Sequence, residues 1–468
     1  MLDHARTAEA TLPRQTRTAD RDQIRAIRQR EEERFAHDRP KSFELVQRAR
    51  RSLLGGVPMN WMTKWPGGFP PFIASARGAR LVDVDGNAYI DFCYGDTGAM
   101  AGHAPAGSVG AIADRAADGI TFMLPTEDAI WVGEEMTRRF GVPFWQFALT
   151  ATDANRFVLR LARMITGRRK VLVFNHCYHG SVDESLATLV AGTIHPRRGN
   201  IGPAVPPSET TQVVEFNDTA ALERALAEGD VACVLAEPAL TNIGIVLPEP
   251  GFHDALRELT RRYGALLVID ETHTICAGPG GYTKAHGLQP DFVTVGKSIG
   301  SGVPSAAYGF TAEIAERIEH QVSVEDADVS GVGGTLAGNA LSLAAVRATL
   351  ANVLTEQAFV GMTDLAVRLE QDVNDLIESN DLPWHVTRLG CRVEYLFSAE
   401  RARNGTQAAN AGDFELDQLI HLYMLNRGVL LTPFHNMTLM SPANVAEDVE
   451  RHKEILTEAI AELYPAHR

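Results

Sequence analysis

The first forty residues are almost uniformly polar. The segment DRDQIRAIRQREEERFA within them has helix formers but little apolar face, so it reads as an extended or helical arm. From Phe43 the pattern tightens. Apolar and polar positions alternate through ARLVDVDGNAYIDFCYG on either side of Asp85 and Gly86, which predicts a β-hairpin. From about residue 125, short apolar runs alternate with longer helical stretches. The runs WQFAL, KVLVF, VACVLAEP, ALLVIDE, FVTVG and SAAYGF are strand candidates. ANRFVLRLARMITG and FHDALRELTRRYG are helices, each closed by a glycine just past the last turn. Strand–helix–strand alternation predicts an α/β fold with a largely parallel sheet covered on both faces. After Gly338, NALSLAAVRATLANVL opens a helix-rich tail with the strand candidates CRVEYLF and GVLLTPF, a second domain.

Composition narrows this picture. With 468 residues the chain exceeds one ordinary core, and 45% apolar and 22% charged content are those of a globular protein. No run of eighteen apolar residues offers a membrane span, and the N-terminal stretch lacks the apolar core of a signal peptide. A cytoplasmic address is the expectation. Cys93, Cys177, Cys233, Cys276 and Cys391 are odd in number and scattered, which reads as reduced core thiols. A formal charge of −15 argues against nucleic-acid partners.

In open α/β sheets ligands bind beyond the carboxyl ends of the strands, so the residues just after each strand carry the information. VID ends on Asp270, followed by Glu271, and FVTVG runs into Lys297. A desolvated lysine becomes a nucleophile toward carbonyls. The GKS at Gly296–Ser298 is no phosphate loop, because Asp291 stands where that motif needs glycine. Taken alone, Asp270 reads equally well as a helix cap or a strand-end salt bridge. If its partner is a pyridinium nitrogen, it keeps a heterocycle protonated as an electron sink, and with a Schiff-base lysine this is the protein half of pyridoxal-phosphate chemistry. LTATDAN, where a strand gives way to a helix, offers Thr150 and Thr152 hydroxyls and free N–H groups to a phosphate, although Thr152 alone could be a cap. Tyr178 would lay its ring on an aromatic cofactor. His176 and Cys177 are completed by no further zinc ligands, so no metal is expected.

These motifs, together with LVDVDGNAYIDF, GHAP, TGRRKVLVF, YHG, AEP, GALLVIDE, DFVTVGKSIGSGVPSAAYG and GGTLAGNALSLAA in that order, resemble the class III, fold-type I pyridoxal-phosphate enzymes. That group includes ω- and β-amino-acid aminotransferases and glutamate-1-semialdehyde aminomutase. The resemblance runs from about Phe43 to the C-terminus. It implies a polar arm over residues 1–40, a large cofactor-binding domain over 81–335, and a smaller α+β domain built from residues 41–80 and 336–468. It further implies that Lys297 forms the imine with pyridoxal 5'-phosphate and moves protons, and that Asp270 pairs with the pyridine nitrogen. Thr150, Ala151 and Thr152 would cradle the phosphate and Tyr178 would stack on the ring. Glu237 matches an acid near the cofactor hydroxyl, and Thr335 matches a threonine reaching the phosphate from a neighbouring subunit. The last point implies a homodimer with shared active sites.

The departures from the family pattern bear on substrate. Ala151 replaces a glycine of the phosphate turn, and Thr272 replaces the apolar residue packed on the ring, adding a hydroxyl for cofactor or substrate. His273 follows it and is a candidate for proton transfer or for packing. In GGVPMNWMTKWPGGFPPF, Met62 falls near the arginine that holds a substrate carboxylate in aminomutases and in some β-amino-acid aminotransferases, with Lys64 the nearest cation and Trp61 a candidate substrate contact. Asp96 stands where an aromatic residue is usual, and its acid would disfavour an anionic group and hold an amine or hydroxyl. The first reading is therefore an aminotransferase joining an amine, ω-amino or β-amino acid donor to a keto acid or aldehyde acceptor. The alternatives are an aminomutase, lyase or racemase on the same scaffold, or a family member without catalysis.

Overall fold

The computed structural model describes residues 19–321, 331–433 and 435–465. Its centre is a seven-stranded sheet of β1 (Phe144–Ala148), β2 (Lys170–Phe174), β3 (Thr211–Val214), β4 (Val231–Ala236), β5 (Leu266–Asp270), β6 (Phe292–Val295) and β7 (Ala306–Phe310). The spatial order is β1-β7-β6-β5-β4-β2-β3, and only β7 runs antiparallel to its neighbours. Strands β4, β5, β6 and β7 are buried at every position. This is what runs that are apolar throughout require, since helices must cover both faces. The helix Phe252–Tyr263, for example, seats Phe252, Leu256 and Leu259 in the same core as β4 and β5. Strand β3 did not stand out in the sequence because TQVV is short and lies at the edge of the sheet.

The expected hairpin is present, with Arg80–Asp83 antiparallel to Ala88–Asp91 and Gly86 at φ 96° in the turn. Its second strand pairs in parallel with Val429–Leu430, so a sheet that straddles residue 81 joins N- and C-terminal segments. A separate sheet of His385–Leu389, Arg392–Leu396 and Met437–Leu439 completes the smaller α+β part. GVLLTPF contributes only Val429 and Leu430 to a strand.

The expected arm is helical over Arg21–Asp38 and is docked rather than solvated, while residues 1–18 lie outside the described residues. Ile24, Ile27, Glu31 and Phe35 form a narrow buried stripe. Glu31 accepts from Arg427 Nη1 at 3.1 Å and from Asn426 Nδ2 at 2.9 Å, which satisfies a buried carboxylate within the stripe. Among the described residues no helix is long and apolar enough to cross a membrane. All five cysteines are buried and free.

Candidate active site

The carboxyl ends of β1, β2, β5 and β6 open on one cavity of about 460 Å³. Thr150, Ala151, Thr152, Tyr178, Asp270 and Lys297 all line it, and Trp61, Thr272 and His273 reach it too. The sheet topology brings all of these but Trp61 together from across the chain, because each lies within a few residues of the end of a strand on the same side, while Trp61 comes from the short helix Asn60–Lys64.

Asp270 closes β5 inside a polar net. Its Oδ2 accepts from Asn155 Nδ2 at 2.8 Å and faces His179 Nδ1 at 2.9 Å, and its Oδ1 accepts from the Thr272 N–H at 3.0 Å. Burial works against the charged carboxylate, but the His179 hydrogen bond and charge, with Thr272 and Asn155, hold it down at about 2. For His179, burial works against the imidazolium, while Cys177 and the Asp270 carboxylate raise it well above its ordinary value. Asn155 is fixed in turn by the Thr294 hydroxyl on β6, at 2.7 Å. Thr294 is the register partner of Asp270 across the β5–β6 ladder. Glu271 turns the other way. It accepts from the Tyr282 N–H at 3.0 Å and from the Thr283 N–H, and it sits where a Cβ on Gly281 would fall.

The opposite end of the cavity is built for an anion. Thr150 caps the helix Ala151–Thr166, accepting from the Asp153 N–H at 3.1 Å and donating to Asp153 Oδ2 at 2.8 Å, which leaves the Ala151 and Thr152 N–H groups without intrahelical acceptors. Two glycines let other backbone close on this turn. A Cβ on Gly180 (φ 82°) would lie 2.1 Å from Thr152 Oγ1. One on Gly296 would lie 3.0 Å from the Ala151 methyl, so Ala151 in place of glycine is accommodated by the glycine opposite it. Thr272 Oγ1 and Ser305 Oγ are buried cavity-lining atoms without a hydrogen-bond partner. Unpartnered buried hydroxyls at a cavity wall call for polar groups of a bound molecule. An anion cradle, a charged carboxylate and a lysine on the walls of one cavity fit pyridoxal 5'-phosphate.

Lys297 has φ 53°, a left-handed conformation rare outside glycine, and its Nζ lies 2.8 Å from Asp96 Oδ2 and 2.7 Å from His273 Nε2. Tyr178 tilts against Trp61 with ring centroids 5.4 Å apart. A second cavity of about 300 Å³ adjoins the first, sharing Trp61, Tyr178 and His273 and adding Asp96 and Lys64.

Two expected residues line neither cavity. Glu237 is buried behind Tyr178, accepting from its N–H at 3.1 Å and from the Thr241 hydroxyl at 2.6 Å, and burial raises its carboxyl. It therefore holds the Tyr178 backbone rather than lining the site. Thr335 is exposed, and a single chain does not carry it to the cavity. Asn155, His179 and Ser305 were missed in the sequence, although TDAN and YHG contain the first two. Among the described residues, no group of His, Cys, Asp or Glu could hold a metal ion.

A family model described as class III aminotransferase matches residues 62–462. A glutamate-1-semialdehyde 2,1-aminomutase of Sorangium cellulosum is 34% identical over 432 residues, covering 90% of this chain and 96% of that protein. The solved structure of a glutamate-1-semialdehyde aminomutase from Pseudomonas aeruginosa PAO1 superposes with a TM-score of 0.93 at 52% identity, over 95% of this chain and 99% of that one. A variant of that protein was solved in complex with PMP. A β-phenylalanine aminotransferase from Variovorax paradoxus follows at TM-score 0.84 and 25% identity, over 94% and 97% of the two chains.

Proposed function

The chain belongs to the class III aminotransferase family and binds pyridoxal 5'-phosphate, and from that premise we propose that it takes the amino group from a primary amine donor and passes it on. The observation that carries the reading is one cavity holding Lys297, Asp270 and the helix N-terminus at Thr150–Thr152 together.

Bound there, the cofactor supplies an aldehyde that condenses with amines and a ring that stores the electrons of a deprotonated carbon. The residues divide the remaining work. Asp270 stays ionised across the neutral range and would hold the ring nitrogen's proton, with His179 and Asn155 fixing its carboxylate. Thr150, Ala151 and Thr152 would hold the phosphate through helix N–H groups and the Thr152 hydroxyl, while the Thr150 hydroxyl fixes the turn on Asp153 Oδ2. Tyr178 would cover one ring face, and Trp61 beside it narrows the entry to water. Lys297 Nζ would carry the proton between the substrate carbon and the acceptor position, as a primary amine on the wall of the same cavity.

Passing the amino group to a keto acid or aldehyde would make the protein an aminotransferase. Met62 in place of a carboxylate-holding arginine and Asp96 in place of an aromatic residue support this outcome. The second outcome, return of the amino group to a neighbouring carbon of the same molecule, would make it an aminomutase. It is favoured by the names of relatives covering nine-tenths of the chain, and on the comparisons alone it has the greater support. Half-reactions separate the two. A donor amine that converts the cofactor stoichiometrically to its amino form and releases a free carbonyl product supports aminotransfer. A rearranged amine with no free carbonyl supports the aminomutase. No spectral response to any amine, or the same response in Lys297→Ala, defeats both. A homodimer and a cytoplasmic location belong to this proposal as well, the latter supported by five reduced, buried thiols.

A further inference from the structure

Lys297 Nζ lies 2.8 Å from Asp96 Oδ2, 3.1 Å from the Asp96 carbonyl oxygen and 2.7 Å from His273 Nε2. An ammonium has three donors and no acceptor. These three acceptors satisfy one fully when His273 Nε2 carries no proton.

One residue supplies two of the three because the backbone around it is left-handed. Tyr94, Gly95, Asp96 and Thr97 have φ of 46°, 56°, 53° and 83°. Such a run persists only where its surroundings over-determine it, and outliers of this kind gather at functional sites. Here the Ala99 N–H donates to the Tyr94 carbonyl at 2.8 Å and the Asp96 N–H to the Cys93 carbonyl at 3.0 Å, with Tyr94 and Thr97 fully buried.

The third acceptor is aimed from the far side. His273 Nδ1 lies 3.2 Å from Thr97 Oγ1, which also accepts from Nη2 of the buried Arg392. With Nδ1–H donated to that oxygen, Nε2 is left as an acceptor facing Lys297. Asp96 lines only the adjoining cavity, whereas His273 lines both, so the three acceptors sit at the passage from one to the other.

We propose that Asp96 and His273 form a site for a primary ammonium, taken in turn by Lys297 and by the incoming donor amine, with His273 Nε2 receiving the donor's proton. The inference rests on the amino-group chemistry proposed above. An amine arrives as an ammonium without a lone pair. Once Lys297 is engaged with the cofactor, Asp96 has lost its cation, and the donor meets the same three acceptors. One N–H bond breaks, its electron pair stays on the donor nitrogen, and the proton forms an N–H bond on His273 Nε2. The imidazolium faces Asp96 Oδ2, 3.8 Å away. Lys297 leaves as the neutral amine that moves the carbon-bound proton, and when that transfer is complete it takes the proton from His273 Nε2 and returns as the ammonium that the site holds, so the proton count closes over each half-reaction.

The charges around His273 agree with this order of events. Burial lowers its basicity first, then the Lys297 and Arg392 charges, while Asp96 and Asp270 work the other way. The Lys297 charge thus helps to keep Nε2 unprotonated, which leaves it an acceptor toward whichever ammonium occupies the site. Asp96 is held well below the usual carboxylate range, because Lys297, His273 and Arg392 outweigh its burial.

The test uses two forms of the protein. In cofactor-free protein, acylation of Lys297 by acetic anhydride is followed by peptide mass across pH. Asp96→Asn, which retains a residue tolerant of the left-handed region, should be labelled about tenfold faster at neutral pH, the factor a lost charge-assisted hydrogen bond represents. In the cofactor-loaded protein, the rate at which a donor amine changes the visible absorption should fall about a hundredfold in His273→Gln. Free imidazole should restore part of that rate in His273→Gly, and Asp96→Asn should raise the amine KM without raising that of the carbonyl acceptor. Unchanged labelling in Asp96→Asn, or wild-type amine handling in His273→Gln, overturns the proposal. If wild-type absorption responds to no amine, the functional reading fails, and the labelling arm still decides the ammonium site by itself.

Discussion

At the scale of single residues, the site depends on two charges kept in fixed states. Lys297→Ala should abolish the cofactor's visible absorption band and lower turnover by at least about a thousandfold, since both the covalent link and the proton carrier are lost. Asp270→Asn should keep the band but reduce turnover roughly a hundredfold, because an amide does not hold a ring nitrogen charged. Rapid-scan absorbance on both variants checks this. The sign of the pH effect follows from the lowered carboxyl of Asp270. A carboxyl depressed to about 2 in the fold adds stability that is present above its unfolded value and is lost as pH falls through the folded one. Acid should therefore unfold Asp270→Asn with less dependence on pH below 4 than wild type, measured by circular dichroism. Lys297, Asp270, Thr150, Thr152 and Tyr178 were legible as cavity residues because each stands at, or within four residues of, the end of an apolar run. His179 and Asn155 were not, because their meaning lies in a partner, Asp270, that is 91 and 115 positions away. Glu237 follows a strand as well, yet it ends behind the cavity, since strand-end position fixes which end of the sheet a residue occupies and not which way its side chain turns.

At the scale of elements, the anion cradle is a packing problem. The turn at Gly180 and the turn at Gly296 both close on the first turn of the helix Ala151–Thr166. Gly180→Ala would drive a methyl into Thr152 Oγ1 and force φ 82° on a residue with a Cβ. Cofactor affinity should fall at least about tenfold as the cradle opens, with a smaller loss of global stability, and equilibrium dialysis of the cofactor reads this directly. A second element-scale case lies on the helix Phe414–Leu425. Burial, then Glu394, lifts the Asp417 carboxyl to about 7, despite the hydrogen bond from Asn436 Nδ2 at 2.8 Å. A carboxyl raised in the fold favours folding below its unfolded value and loses that contribution as pH rises through 7. Asp417→Asn should thus be more stable than wild type at pH 8, by on the order of 1 kcal/mol after solvent screening, and should differ little at pH 4. Thermal melts at the two pH values decide it. The docked N-terminal helix shows why such elements are hard to read. Its buried stripe includes Glu31, a polar letter in the sequence whose partners Asn426 and Arg427 lie near the other end of the chain.

At the scale of the molecule, a parallel sheet gathers one-residue contributions from distant segments onto one edge, and this is why the fold class could be read from strand alternation alone. What strand alternation does not reach is whether a second chain completes the site. Ile120, Phe122, Met123 and Leu124 leave a run of apolar side chains open to solvent, with Met123 79% and Leu124 72% exposed. The Ala340 N–H donates to the Ile120 carbonyl at 3.0 Å, which ties that run to the segment after Leu336, itself 49% exposed and next to Thr335. Apolar surface of this kind beside a residue expected at the phosphate of another subunit makes a two-fold dimer the natural cover. If each site takes Lys297 from one chain and Thr335 from the other, mixing Lys297→Ala with Thr335→Ala chains after dissociation must rebuild one intact site in every hybrid. Random pairing makes about half the dimers hybrid, so roughly a quarter of wild-type sites should reappear. Recovered turnover near that fraction, with light scattering at twice the chain mass, supports shared sites. A mixture no more active than the sum of its two parents would show that each chain carries its catalytic apparatus alone, and the exposed apolar run would then need another explanation.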